Sequence, residues 1–129
     1  MPKIEYFLVA ESYSEDKDSG YLSIFNVFNT VRFQKLPATI PKVVAISCWL
    51  SSAEEIEQSA NAQVTLRFRL PGQPDPQEFR ANFESDTRFQ YVVLELYDVP
   101  VKEAGDILVE LQLNGKHCAT HTMSIAAIE

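Results

Sequence analysis

The sequence predicts an all-β protein: about eight strands packed as a two-layer antiparallel β-sandwich, immunoglobulin-like or jelly-roll-like, with at most one short helix. Three observations carry that expectation. Apolar and polar residues alternate with a period of two in the middle of the chain, turn signals recur along its whole length, and only one short stretch carries helix-start chemistry. No composition shift or linker divides residues 1–129, which are read as one domain.

In chain order, Ile4 to Glu11, Tyr21 to Phe28, Val43 to Leu50 and Phe89 to Tyr97 are strands by their β-branched and aromatic content. Each is apolar on both faces, as expected of strands that lie centrally or are covered on their second side. Ser52-x-x-Glu55 has the form of a capping box, so the following residues to Ser59 form a short surface helix or an acidic loop. The alternation is cleanest in Ala62 to Leu70, where Ala62, Val64, Leu66, Phe68 and Leu70 interleave with Gln63, Thr65, Arg67 and Arg69. Gln77 to Glu84 repeats it with Phe79, Ala81 and Phe83. Between the two, Pro71-Gly72-Gln73-Pro74-Asp75-Pro76 cannot continue a ladder and closes a hairpin. A symmetric register there sets Arg69 opposite Glu78 and Phe68 opposite Phe79. A second hairpin joins Ile107 to Leu113 with Lys116 to Ile125 through Asn114-Gly115, the pair that supplies the positive φ angles of a type I′ turn.

Bulk composition narrows the functional classes. Eleven Lys and Arg against 18 Asp and Glu give a net charge of −7, which disfavours phosphate backbones and anionic lipid alike. No secretion signal is visible at the start, and the longest uncharged runs, Ser19 to Val31 and His117 to Ile128, fall short of the ~20 residues of a membrane span. A cytoplasmic protein is expected, one that binds neither nucleic acid nor membrane, with Cys48 and Cys118 as small buried thiols unless their strands happen to be neighbours.

The candidate chemical constellations are weak. His117 and His121 have the spacing that brings two imidazoles together on a helix, but on a strand they stand about 13 Å apart, on one face, too far to share a zinc ion. Glu11, Glu15, Asp16 and Asp18 concentrate in one connection that only faintly resembles a calcium loop. No nucleophile elbow, glycine-rich phosphate loop or organised carboxylate pair is present. Arg67, Arg69 and Arg80 form the sole basic strip, without aromatics interleaved to stack bases. No catalytic residue, metal ligand or cofactor is expected.

The layout of the chain resembles a known family. A strand ending in an acidic residue (Ile4 to Glu11) precedes Gly20-Tyr21-Leu22-Ser23-Ile24-Phe25-Asn26-Val27-Phe28, and the chain closes with Ala104-Gly105-Asp106-Ile107-Leu108-Val109-Glu110-Leu111-Gln112-Leu113-Asn114-Gly115 and a last strand. This is similar to a family of small uncharacterised bacterial proteins, a domain of unknown function. The resemblance implies a single β-sandwich and transfers no catalytic residue.

One anomaly points toward function. Tyr21 to Phe33 holds Tyr21, Leu22, Ile24, Phe25, Val27, Phe28, Val31 and Phe33 with no charge before Arg32. That is apolar surface for two faces, and a strand of a small sandwich buries one. The expectation is a non-enzymatic protein working through protein–protein contact, with a protein partner or a second copy in a homodimer, and with Tyr6, Tyr21, Phe25 and Trp49 in the contact surface. The alternative is a module binding Ca²⁺ or carbohydrate through its loops, and behind it a small hydrolase.

Overall fold

A computed structural model describes residues 1–128. Its elements are β1 (Lys3–Glu15), β2 (Leu22–Val27), β3 (Thr30–Phe33), β4 (Ala38–Leu50), α1 (Ala53–Glu57), β5 (Asn61–Arg69), β6 (Gln77–Glu84), β7 (Phe89–Val101), β8 (Gly105–Leu113) and β9 (Lys116–Ala127). They form a four-stranded sheet of order β2-β1-β4-β7 and a five-stranded sheet of order β3-β9-β8-β5-β6. The fold is the expected all-β sandwich, with nine strands where about eight were expected.

The two sheets close on one core. From the four-stranded sheet it takes Ile4, Phe7 and Val9 of β1, Val43, Ala45 and Trp49 of β4, and Val92, Leu94 and Leu96 of β7. The other sheet supplies Val64, Leu66 and Phe68 of β5, Ile107, Val109, Leu111 and Leu113 of β8, and Met123 and Ile125 of β9. These are alternate residues along each strand, as a period of two dictates for a half-buried sheet, except in β1, where a register break between Ile4 and Tyr6 makes the step from Ile4 to Phe7 one of three. Trp49 is fully buried, 6.0 Å from the Phe83 ring, and its Nε1 donates to Ser47 Oγ at 2.8 Å.

Four expectations change in detail. The segment Tyr21 to Phe33 is not one two-faced strand. β2 pairs with β1, whereas β3 crosses to the opposite sheet and runs parallel to β9, with Thr30 opposite Ser124 and Phe33 opposite Ala127. So its apolar residues are divided between two sheets, and the sandwich contains one parallel pair among otherwise antiparallel ones. At the crossing, Phe28, Val31 and Phe33 line an open cleft of about 470 Å³ with Ile40 and Pro41.

In the β5–β6 hairpin the register is shifted by two residues, with Arg67 rather than Arg69 opposite Glu78 and Leu66 opposite Phe79. The proline-rich loop is wider than a symmetric closure allows. A two-residue shift preserves the faces, so Phe68 still meets Phe79 edge to face at 6.3 Å, now as a diagonal neighbour. Arg69, freed from β6, pairs with Glu110 of β8.

The Asn114-Gly115 turn forms with φ of 49° and 84°, and Leu113 lies opposite Lys116. A register break follows at once: Gln112 faces His117 but Leu111 faces Ala119, leaving Cys118 as an extra residue. Such a bulge reverses the alternation. His117 is therefore exposed opposite Gln112, while His121 lies opposite the core residue Val109, and the two imidazoles do not share a face.

The capping box proves to start a true helix. In α1 the Ser52 side chain accepts from Glu55 N, and the Glu55 carboxylate accepts from Ser52 N at 2.8 Å.

Candidate functional site

The two outward faces of the sandwich differ in chemistry. On the five-stranded sheet, Gln63, Arg67 and Arg69 of β5 stand beside Glu78, Arg80 and Asn82 of β6 and Glu110 and Gln112 of β8. Three of its arginines are paired, Arg67 and Arg80 with Glu78 at 3.1 and 3.2 Å and Arg69 with Glu110, while Arg32 on the edge strand β3 is exposed. Only Leu108 interrupts this polar face with a large exposed apolar group, at 36% exposure.

The outward face of the four-stranded sheet is apolar. It follows from the registers once the core set is removed. Tyr6 of β1, Cys48 of β4 and Tyr91 of β7 form one row across the sheet, and Leu8, Ile46 and Val93 the next. Ala10, Val44 and Glu95 form a third, extended by Val27 of β2, with Phe25 beyond it opposite Ser12. At the other end Leu50 lies between Lys3 and Phe89. None of these side chains belongs to the core cluster, and the charges among them are Lys3 and Glu95, with Lys42 next along β4.

Relief on this face is graded. Val44, Ile46 and Cys48 on central β4 are at most 2% exposed, whereas Phe25 and Val27 on one edge strand are 45% and 39% exposed, and Phe89 and Tyr91 on the other 55% and 41%. Flanking aromatic and branched side chains cover the β4 row and themselves meet solvent. No helix or loop of the described residues supplies a further layer, since the connections of this sheet, the β1–β2 turn and α1 among them, leave from its strand ends.

The Tyr6–Cys48–Tyr91 row is the polar centre of the patch. Burial, followed by the adjacent Cys48 and Tyr91 side chains, pushes the Tyr6 phenol far above the usual tyrosine value. Burial also pushes the Cys48 thiol up, against a smaller lowering by the Tyr6 hydroxyl. A raised thiol pKa means little thiolate, so Cys48 is a packing group rather than a nucleophile. Near the face's charged corner, Tyr97 donates to Glu95 Oε2 at 2.7 Å, and Lys42 lies 6.0 Å from the Tyr97 ring centroid.

Of the four residues expected in a contact surface, two stand on this face, Tyr6 in the Cys48 row and Phe25 opposite Ser12, six positions further along β1. Tyr21 sits just before β2 at the hairpin end, 76% exposed, where its carbonyl accepts from Asp16 N. Trp49 is the correction: it belongs to the inward set of β4 and contributes to the core, not to any surface. Phe89, Tyr91 and Val93 were missed. Their signal was the two-sided apolar character of Phe89 to Tyr97, which shows a covered or sticky second face without saying which residues compose it.

The remaining constellations stay apart. Cys48 and Cys118 are free thiols on different sheets. His121 Nε2 lies 2.7 Å from Phe28 O, tying β9 to the β2–β3 crossing. Among the described residues no three His, Cys, Asp or Glu side chains converge as a metal site would require, and no helix is long and apolar enough to cross a membrane.

Comparison with known proteins gives the fold a relative and the sequence a family. The chain is similar to part of the Pseudomonas fluorescens alkylpurine DNA glycosylase AlkC, solved bound to DNA containing an abasic site analog, with a TM-score of 0.59 at 11% identity. The likeness covers 98% of this chain but 30% of that one, and at this identity it is one of fold. No curated protein matches the sequence. What does match is a family of unknown function, DUF6941, over residues 5–126, and the chain belongs to that family.

Proposed function

We propose that the protein is a cytoplasmic binding module that works through protein–protein contact, without catalysis of its own, across the outward face of the four-stranded sheet. The observation carrying this reading is the asymmetry of the sandwich. One sheet covers its outer face with Arg–Glu pairs and amides, and the other presents Phe25, Val27, Phe89 and Tyr91 around a row of buried aliphatic side chains. A contiguous exposed apolar patch on one side of a small domain marks an interaction surface, and aromatic residues are the usual anchors of such surfaces. The DNA-bound state of the structural neighbour does not argue for nucleic acid here. This chain carries −7, its strip of three arginines is held in ion pairs with the two carboxylates of Glu78 and Glu110, and phosphate affinity rests on a cluster of free cations.

Site-specific photo-crosslinking in the cells that make the protein tests the reading. A photoreactive phenylalanine at position 89 or 91 is expected to capture a discrete protein species, and the same group at position 80 or 82 on the polar sheet is not. Absence of adducts from positions 89 and 91, or the same species from both sheets, overturns the proposal.

A further inference from the structure

We infer that the free edge of β7 pairs with the same edge of a second copy, strand against strand and antiparallel, so that two four-stranded sheets join into one. The inference goes beyond the contact reading above, which concerns the face of this sheet and not its edge. β7 is an outermost strand of its sheet, and just before it Arg88 O accepts from Ser51 N at 2.9 Å. Main-chain groups alternate in direction along an antiparallel strand. Arg88, Gln90, Val92 and Leu94 therefore turn theirs toward β4, and Phe89, Tyr91 and Val93 turn theirs outward; the β4–β7 register runs without a shift and keeps that alternation. Among the described residues no main-chain group of a turn or loop bonds to these three. The Thr87 hydroxyl alone reaches them, donating to Phe89 O at 2.8 Å.

An open edge is a template for another strand, and folded proteins blunt such edges with short length, charge, proline or bulges. The other three edges here are blunted. β2 has six residues and a φ of 56° at Asn26, β3 has four residues, and β6 carries Glu78, Arg80 and Glu84. β7 is blunted in its second half alone, by Glu95, by Asp98 at φ 55° and by Pro100; from Phe89 to Leu94 it has no charge, proline or positive φ. That stretch is self-complementary. With a two-fold axis at Tyr91, Tyr91 meets the partner's Tyr91 and Phe89 meets the partner's Val93, and each such pair of outward-turned residues exchanges two hydrogen bonds. Apolar side chains then stand opposite apolar ones on the outer face. Glu95 falls opposite the partner's Thr87 and about 27 Å from the partner's Glu95, at ~3.4 Å for each of the intervening positions, well beyond a Debye length of about 8 Å. A symmetric register that sets no like charges together favours a second copy over an unrelated strand. The row of Tyr6, Cys48 and Tyr91 runs on into the same row of the second copy, and two contact faces become one.

Sedimentation equilibrium of the full chain at tens of micromolar is expected to give a dimer. Tyr91→Pro removes an outward N–H and spares the β4 ladder, since an edge strand accepts proline where its N–H faces away from the sheet. It is expected to weaken the dimer at least about tenfold more than Tyr91→Ser, which loses the ring and keeps the N–H. Amide hydrogen exchange needs no substitution and decides the matter if Tyr91→Pro does not fold. Exchange at Phe89, Tyr91 and Val93 is expected to slow at least about tenfold from dilute to concentrated protein. A monomer at tens of micromolar, or exchange at these amides indifferent to concentration, overturns the inference. Equal weakening by Tyr91→Pro and Tyr91→Ser marks a dimer packed through its faces, which overturns the edge pairing while the contact reading stands. A dimer with slowed exchange, whose positions 89 and 91 crosslink to the second copy alone, upholds the edge pairing and counts against a further partner on the face.

Discussion

Ser47 holds the interior end of a short relay: it accepts from Trp49 Nε1 and donates to Val92 O at 3.4 Å, bridging β4 to β7 inside the core. Removing the hydroxyl leaves a buried indole N–H without an acceptor, and an unsatisfied buried donor costs about 1–3 kcal/mol. Ser47→Ala is expected to lose stability in that range in urea titrations, with the single Trp49 as the fluorescence probe. Tyr6 gives a prediction in pH. Burial raises its phenol above the ordinary tyrosine value of about 10, so above pH ~10 the unfolded chain loses this proton while the folded one keeps it. The stabilisation is thus fully present below that pH and is lost as pH rises further. Tyr6→Phe, having no proton to lose, is expected to flatten the fall of the melting temperature between about pH 10 and pH 12; an unchanged alkaline slope would count against the burial of this hydroxyl. Residues of this kind were only half legible in the sequence. Where a strand is apolar on both faces, as Val43 to Leu50 is, alternation gives two sets without saying which faces inward, and Trp49 was assigned to the wrong one.

Among the elements, the β8–β9 hairpin was the easiest to read because its determinant is local. Gly115 holds φ of 84° with no atom within 4 Å of where a Cβ would stand, so the cost of a side chain there is backbone strain alone. Gly115→Ala is expected to destabilise the protein by about 1–2 kcal/mol in chemical denaturation, without change of register, since the core pairs Ile107 with Met123 and Leu111 with Ala119 still fix it. The capping box Ser52/Glu55 was legible for the same reason: both partners lie within one turn. What escaped was whatever depends on residues far away. The bulge at Cys118 is set by packing of Cys118 and Ala119 against the core rather than by any turn residue. The two-residue shift of β6 follows from the wide proline-rich loop and changes the partners of both arginines, Arg67 meeting Glu78 and Arg69 meeting Glu110 of β8.

For the whole molecule, alternation and turn chemistry sufficed for the class, two layers and the polarity of one outer face. The apolar face could not be read in the same way, because it is assembled from β1, β4 and β7, and its rows join residues as distant as Tyr6, Cys48 and Tyr91. The sequence held the correct premise, an excess of apolar surface, but located it in Tyr21 to Phe33, where Phe28, Val31 and Phe33 line the cleft beside Ile40. Partner chemistry lies one step further off, since identical sandwiches serve unrelated ends and a site must be argued from its own residues.

The parallel pairing of β3 with β9 also bears on how the chain reaches its structure. Thr30 has no partner until Ser124 has been synthesised and β9 has joined β8. Closing so long a stretch of chain carries an ordering entropy that local contacts do not offset, and non-local pairings of this kind slow folding. The edge of the five-stranded sheet is therefore the last part of the molecule to be zipped. Until then Val31 and Phe33 lack the cover that β9 gives them.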